Sequence, residues 1–218
     1  MPAWSDEDRA AVDRTGRRRR RLQRAEAVVM SAVTFTVAHA LMAPSAHATN
    51  FGSTWCGGTP RNCVSLGDNA EHTWYPEGTF GNQIPGIAAS FQQAMDDYER
   101  YTDLTTTKKN HSTLDVLVTD YNYGANGVAG WVECLPGSAT SGNHPFKRCD
   151  RQKLRLNGSY PADYRDAHSR RSVACHEIGH TVGLRHRETE GSCMSVKPPS
   201  KVSPITSLHD DAHINAYH

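Results

Sequence analysis

Hydrophobic residues at Ile87, Phe91, Met95, Tyr98 and Tyr101 recur at three- and four-residue steps with polar residues between them, which predicts an amphipathic helix over 87–101. The run from Leu114 to Asp120 is rich in β-branched residues and of strand length. Gly127 to Cys134 is a second, weaker strand with a glycine-rich approach, and Lys153 to Asn157 alternates polar and apolar residues as a strand covered on one face does. Upstream, 50–86 is rich in Gly, Pro, Thr and Asn and reads as irregular, with one strand near Val64. Downstream, Pro161 opens a stretch with apolar residues at Val173, Ile178, Val182 and Leu184, which predicts one long helix ending at Gly183. Three prolines between Lys197 and Pro204 exclude a helix there, and Leu208, Ala212, Ile214 and Tyr217 give a last helix over 206–217. The expected architecture is a single α+β domain: a mixed twisted sheet lying between the early, backing helix and the helix at 161–184, followed by the C-terminal helix.

The region before this pattern has a different character. Eight of the 24 basic residues lie at or before Arg24, including the run Arg17 to Arg21. A short apolar stretch from Ala27 to Met42 follows, and then the small-residue site Ala46-His47-Ala48. Basic, apolar and cleavage regions in that order predict a secretory signal over 1–48 and a single working domain over 49–218. Gln23 stands where a twin-arginine signal prefers an apolar residue, so the export route stays open.

Removing the leader changes how charge and cysteine content are read. The whole chain of 218 residues carries a formal charge of +1, but 49–218 is slightly acidic. That argues against a nucleic-acid partner, and no apolar run is long enough to hold the exported protein in a membrane. The expected product is extracellular and monomeric. All six cysteines fall after Ala48, and an even number in an exported chain reads as disulfides. All fifteen pairings are open. Short loops favour neighbours: Cys56–Cys63, Cys134–Cys149 and Cys175–Cys193.

The residues with clear chemistry are His176, Glu177, His180, Gly183 and His186, which fit H-E-x-x-H-x-x-G-x-x-H in full. Positions four apart on a helix differ by roughly 40° in direction, so His176 and His180 aim at one point. Gly183 permits a left-handed turn that returns His186 as a third ligand. Three imidazoles leave the fourth position of one Zn²⁺ ion for water, and Glu177 stands alongside as the candidate base.

On these residues the sequence resembles the metzincin zinc metalloendopeptidases. Met194, eight residues after His186 in Gly191-Ser-Cys-Met-Ser195, matches their methionine turn. That step length is similar to the matrixins, as are the segment 127–134, which resembles their substrate-binding edge strand, and 208–214, which resembles their last helix. The resemblance implies a polypeptide bound extended along Val128, Ala129, Gly130, Trp131 and Val132. Side-chain preference would be set by the wall 195–204, and Asp210 would support the methionine turn. It also favours Cys175–Cys193, since Cys175 adjoins the first ligand and Cys193 adjoins Met194.

The chain departs from these families in places. Arg187 stands where matrixins usually have serine, and no cysteine-switch motif occurs between Ala48 and the domain. Val196 replaces the tyrosine that astacins and serralysins carry two residues after the methionine, and His186 replaces the aspartate of snapalysins. His209 and His213 offer a second metal pair without a carboxylate to complete it. Asp96, Asp97, Glu99 and Asp103 lack the spacing of a calcium loop, so Ca²⁺ is not indicated. Trp55, Trp74, Tyr75 and Trp131 are candidate cleft or packing residues. Two other functions compete with an endopeptidase: an exported zinc hydrolase of non-peptide amides such as cell-wall linkages, and a non-catalytic binding module stabilised by zinc. An intact Glu177 argues against the second.

Overall fold

The computed structural model describes residues 51–52, 66–110, 114–138, 148–188 and 191–218. Five strands, β1 (Glu71–Pro76), β2 (Thr105–Lys108), β3 (Val116–Tyr121), β4 (Gly130–Cys134) and β5 (Gln152–Asn157), form one sheet in the order β2-β1-β3-β5-β4. The first four neighbours in that order run parallel, and β4 is antiparallel to β5 at one edge, with Trp131 opposite Arg155 and Val132 opposite Leu154.

Burial alternates along β3, with Val116, Val118 and Asp120 inside and Leu117 and Thr119 half exposed. Leu154 and Leu156 of β5 continue the inner row. One face of the sheet is therefore covered by helices and the other meets solvent, as the period-two pattern requires.

Helix α1 (Ile87–Tyr101) buries Ile87, Phe91, Ala94, Met95 and Tyr98, the predicted stripe. Phe91 packs against Trp74 of β1 and Phe80, with ring centroids 5.1 Å and 5.7 Å away. The loop before α1 is gathered by Asp120, whose carboxylate accepts the N–H groups of Gly81, Gln83 and Ile84.

Helix α2 (Ala167–Thr181) lies directly against α1: the Tyr98 hydroxyl donates to the Cys175 carbonyl at 2.9 Å, and Arg171 Nε donates to Asp97 at 2.8 Å. The sheet does not lie between these helices, contrary to the sequence expectation. Both pack on its one covered face and meet each other.

The sequence expectation is corrected in three further respects. The helix predicted from Pro161 is two pieces, a 3-10 turn at Pro161–Tyr164 and then α2, because the Asp166 side chain accepts the Ser169 N–H at 2.7 Å and starts a new helix. β1 and β2 were not expected. The buried positions of β1 are mostly polar, His72 and Thr73 beside Trp74, so no apolar alternation marks it, and β2 is short and mostly exposed. The last helix, α3 (Leu208–Tyr217), starts two residues later than expected, at a capping box in which Ser207 accepts the Asp210 N–H and the Asp210 carboxylate accepts the Ser207 N–H.

Two of the three proposed disulfides are formed, Cys134–Cys149 and Cys175–Cys193. The first fastens the end of β4 just ahead of β5. Cys56, Cys63, Val64 and residues 1–48 lie outside the described residues.

Candidate active site

The site is built on α2, a helix whose sequence looks polar yet is buried along most of its length, from Ser169 and Ser172 to Thr181. His176 and His180 project from one face, one turn apart. After Thr181 the chain turns at Gly183, whose φ is +97°, and the Leu184 N–H returns to the Gly179 carbonyl at 2.9 Å. A Cβ at Gly183 would lie 2.6 Å from Leu66, so both backbone sign and space call for glycine. The same turn is held from outside: Gly52 N–H donates to the Gly183 carbonyl at 2.8 Å and Arg185 Nε donates to the Gly52 carbonyl at 2.6 Å. Phe51 stacks beyond it on His213, with centroids 5.5 Å apart.

The turn brings His186 to the other two histidines. His180 Nε2 lies 3.1 Å from His176 Nε2 and 3.1 Å from His186 Nε2. His176 Nδ1 lies 2.7 Å from the Cys193 carbonyl and His180 Nδ1 lies 2.8 Å from the Leu184 carbonyl. A carbonyl only accepts, so both Nδ1 atoms carry the proton and both Nε2 lone pairs face inward. Burial, with the neighbouring His186, holds His176 down to about 4, and burial with both neighbours holds His180 well below the usual histidine range. His186 is lowered as well, chiefly by burial. Three neutral imidazoles with converging lone pairs repel one another unless a cation lies between them. Nitrogens tetrahedrally placed at zinc's usual ~2.0–2.1 Å stand about 3.3 Å apart, close to the observed spacing. The donor set therefore fits one zinc ion. Among the described residues no other group of three or more histidine, cysteine or carboxylate side chains brings its ligand atoms together. His209 and His213 contact only edge to face, with centroids at 4.7 Å, and Asp97 is engaged with Arg171.

Glu177 is 4% exposed, and burial pushes its carboxyl up to about 8. It lies under the edge strand, so close that a Cβ on Gly130 would come within 2.7 Å of the carboxyl carbon. Glu177 Oε2 has no hydrogen-bond partner. A cavity of about 290 Å³ opens here, lined by Val128, Gly130, Val173, the three histidines and, on the far wall, Pro199 and Val202. Ala129 and Trp131 also reach it. The Trp131 ring packs with Tyr123, centroids 4.8 Å apart, and its Nε1 donates to Glu133 at 3.0 Å. The Val132 side chain points to the covered face and is fully buried in the core.

Met194 is fully buried beneath α2. A Cβ on Gly179 would be 2.3 Å from its sulfur, so the glycine in the middle of the helix is what lets the methionine turn approach. Asp210 reaches that turn through Ser192, whose hydroxyl donates to Asp210 at 2.6 Å and accepts the Met194 N–H at 3.1 Å. Sequence reasoning missed Gly179, Ser192 and Tyr164, whose hydroxyl donates to the Ala129 carbonyl and fixes the approach to β4. Only Gly179 left a sequence signal, since a mid-helix glycine costs up to about 1 kcal/mol and needs a reason.

No curated protein matches the chain at a significant level. The matrixin family model (Peptidase M10) matches residues 76–214, more than half of the chain, from the end of β1 through the metal-binding motif into α3. With the histidine triad, the mixed five-stranded sheet and the methionine turn in place, the chain belongs to the matrixins and is a zinc metalloendopeptidase of the metzincin type.

Proposed function

We propose that this chain is the precursor of an extracellular endopeptidase, with residues 1–48 as its secretory signal and 49–218 as its catalytic domain. Two disulfides and the lack, among the described residues, of any helix long and apolar enough to cross a membrane support this reading. His176, His180 and His186 hold the zinc ion. A zinc ion held there would supply the charge that polarises the scissile carbonyl and acidifies a water molecule. Glu177, whose charged form a cation held by the three histidines would favour, would take the proton from the attacking water and return it to the leaving amine.

The polypeptide lies extended along the open edge of β4. The Ala129 carbonyl accepts the Asn157 N–H at 2.6 Å and so faces β5, and Gly130, one residue on, turns its own N–H and C=O to the open edge. A substrate strand pairing with Gly130 runs beside the Glu177 carboxyl and the three imidazoles, and its side chains enter the cavity between Val173 and Val202.

The observation that carries the proposal is the buried Glu177 carboxyl, one oxygen unpartnered, in the same cavity as three converging Nε2 atoms. Glu177→Gln is expected to keep one zinc per chain and to lose about 10²–10⁴-fold in kcat on a peptide library. Undiminished cleavage at full zinc loading would remove Glu177 from the role of base.

A further inference from the structure

The three histidines are not held alike. His176 and His180 are each oriented by a backbone carbonyl on Nδ1. His186 is the most exposed of the three, and among the described residues no carbonyl holds its Nδ1. Its direction has to be set through the main chain, and the residue that follows it is the arginine found where matrixins usually have serine.

Arg187 is fixed at both its backbone and its side chain. Its N–H donates to the Met194 carbonyl at 2.8 Å, and its carbonyl accepts the Val196 N–H at 3.2 Å, which pairs it with Ser195 in a short parallel bridge. Its Nη1 donates to Ser207 Oγ at 2.5 Å and to Asp210 Oδ1 at 3.2 Å. Asp210 is wholly buried and also accepts from Ser192, which in turn receives the Met194 N–H. These contacts close a ring: Arg187 main chain to Met194, Met194 to Ser192, Ser192 to Asp210, and Asp210 back to the Arg187 guanidinium. The ring fastens the residue next to His186 to the methionine turn and to the capped start of α3 together. Arginine suits the position because its rigid, permanently charged fork meets a hydroxyl and a carboxylate at once, which a lysine's single ammonium does less well.

We propose that Arg187 is the positioning residue for His186, standing in for the imidazole hydrogen bond that the other two ligands have. This rests on the reading of His186 as a zinc ligand. Outer partners of metal ligands typically carry about 10- to 100-fold in metal affinity, and the ring assigns that share to Arg187.

The test measures zinc affinity of the full chain by chelator competition, with Co²⁺ as a spectroscopic probe and thermal unfolding of the metal-free protein alongside. Arg187→Met is expected to weaken zinc binding about 10- to 100-fold and to alter the visible cobalt bands, with Arg187→Lys recovering part of the loss. Where Arg187→Met fails to fold, Arg187→Lys carries the test, with a loss of up to about tenfold in a folded protein expected. The proposal is overturned when the folded variants bind zinc and show cobalt spectra as the wild type does while His186→Ala loses metal. A lowered unfolding midpoint with unchanged zinc affinity overturns it too, because Arg187 is then only structural. Zinc binding by His186→Ala equal to the wild type would instead remove the ligand reading on which the proposal rests.

Discussion

The sheet with α1 and the segment after α2 are held together by different forces. The first is apolar packing: Trp74, Phe91, Met95, Val116, Val118, Leu154 and Leu156 form one buried cluster between the strands and the helices. The second, the described residues of 182–218, sends Val182, Leu184, Cys193, Met194 and Ile214 into the same cluster but is fastened as well by a disulfide, an ion pair from Arg187 to the buried Asp210 carboxylate and the hydroxyls of Ser192, Thr206 and Ser207. Apolar burial is strong but not directional, so it sets where the sheet and helices lie. Hydrogen bonds are directional, and the part of the molecule that aims His186 and seats Met194 is the part made of them. Overall stability should therefore follow the first region, and metal geometry the second.

The largest effect that sharpens this division is Phe91→Ala, which removes a ring buried between β1 and α1 and is expected to cost about 3–5 kcal/mol by denaturant titration. Zinc affinity of the folded fraction should not change, and a loss matching that of a ligand variant would break the division. Next is the pair Cys175→Ser with Cys193→Ser, which opens an 18-residue loop at a cost of about 3 kcal/mol. Here zinc affinity should fall as well, because the Cys193 carbonyl orients His176. Chelator competition on the folded variant distinguishes the two outcomes.

The smallest effect is one of pH. Burial raises the Asp210 carboxyl, but hydrogen bonds from Ser192 and Ser207 and the Arg187 charge outweigh it, leaving the carboxyl below its ordinary value of 3.8. A depressed folded pKa contributes stability that is complete above the unfolded value and is lost as pH falls through the folded one. Acid below the usual carboxylate range should thus loosen the 182–218 segment, and Asp210→Asn should flatten that dependence in unfolding midpoints taken against pH. An unchanged acid profile would show that the network contributes nothing to stability.

The same contrast explains what the sequence could convey. The three histidines and Glu177 lie within eleven residues on one helix and one turn, so spacing alone brings them together, and α1, β3 and β5 follow from local periodicity. β1 did not, because its buried polar residues are matched by distant partners: His72 by Thr181 at 2.8 Å, and Thr73 by Asp115, which accepts its hydroxyl at 2.9 Å. The placement of both helices on one face of the sheet depends on contacts such as Tyr98 to Cys175, 77 residues apart, which no local pattern encodes. The break at Asp166 was legible as a capping residue, but the apolar positions beyond it made the helix look continuous. Arg187 was visible as a departure and Asp210 as a support for the methionine turn, whereas the contact between them, 23 residues apart, was not.

The central claim is that three imidazoles hold one zinc ion with a position left open for water. X-ray absorption at the zinc edge of the full chain tests it most directly. The account predicts one zinc per chain, with about three nitrogens at ~2.0–2.1 Å and a light oxygen ligand completing the shell. Sulfur in the first shell, or a fourth imidazole closing it, would contradict the account.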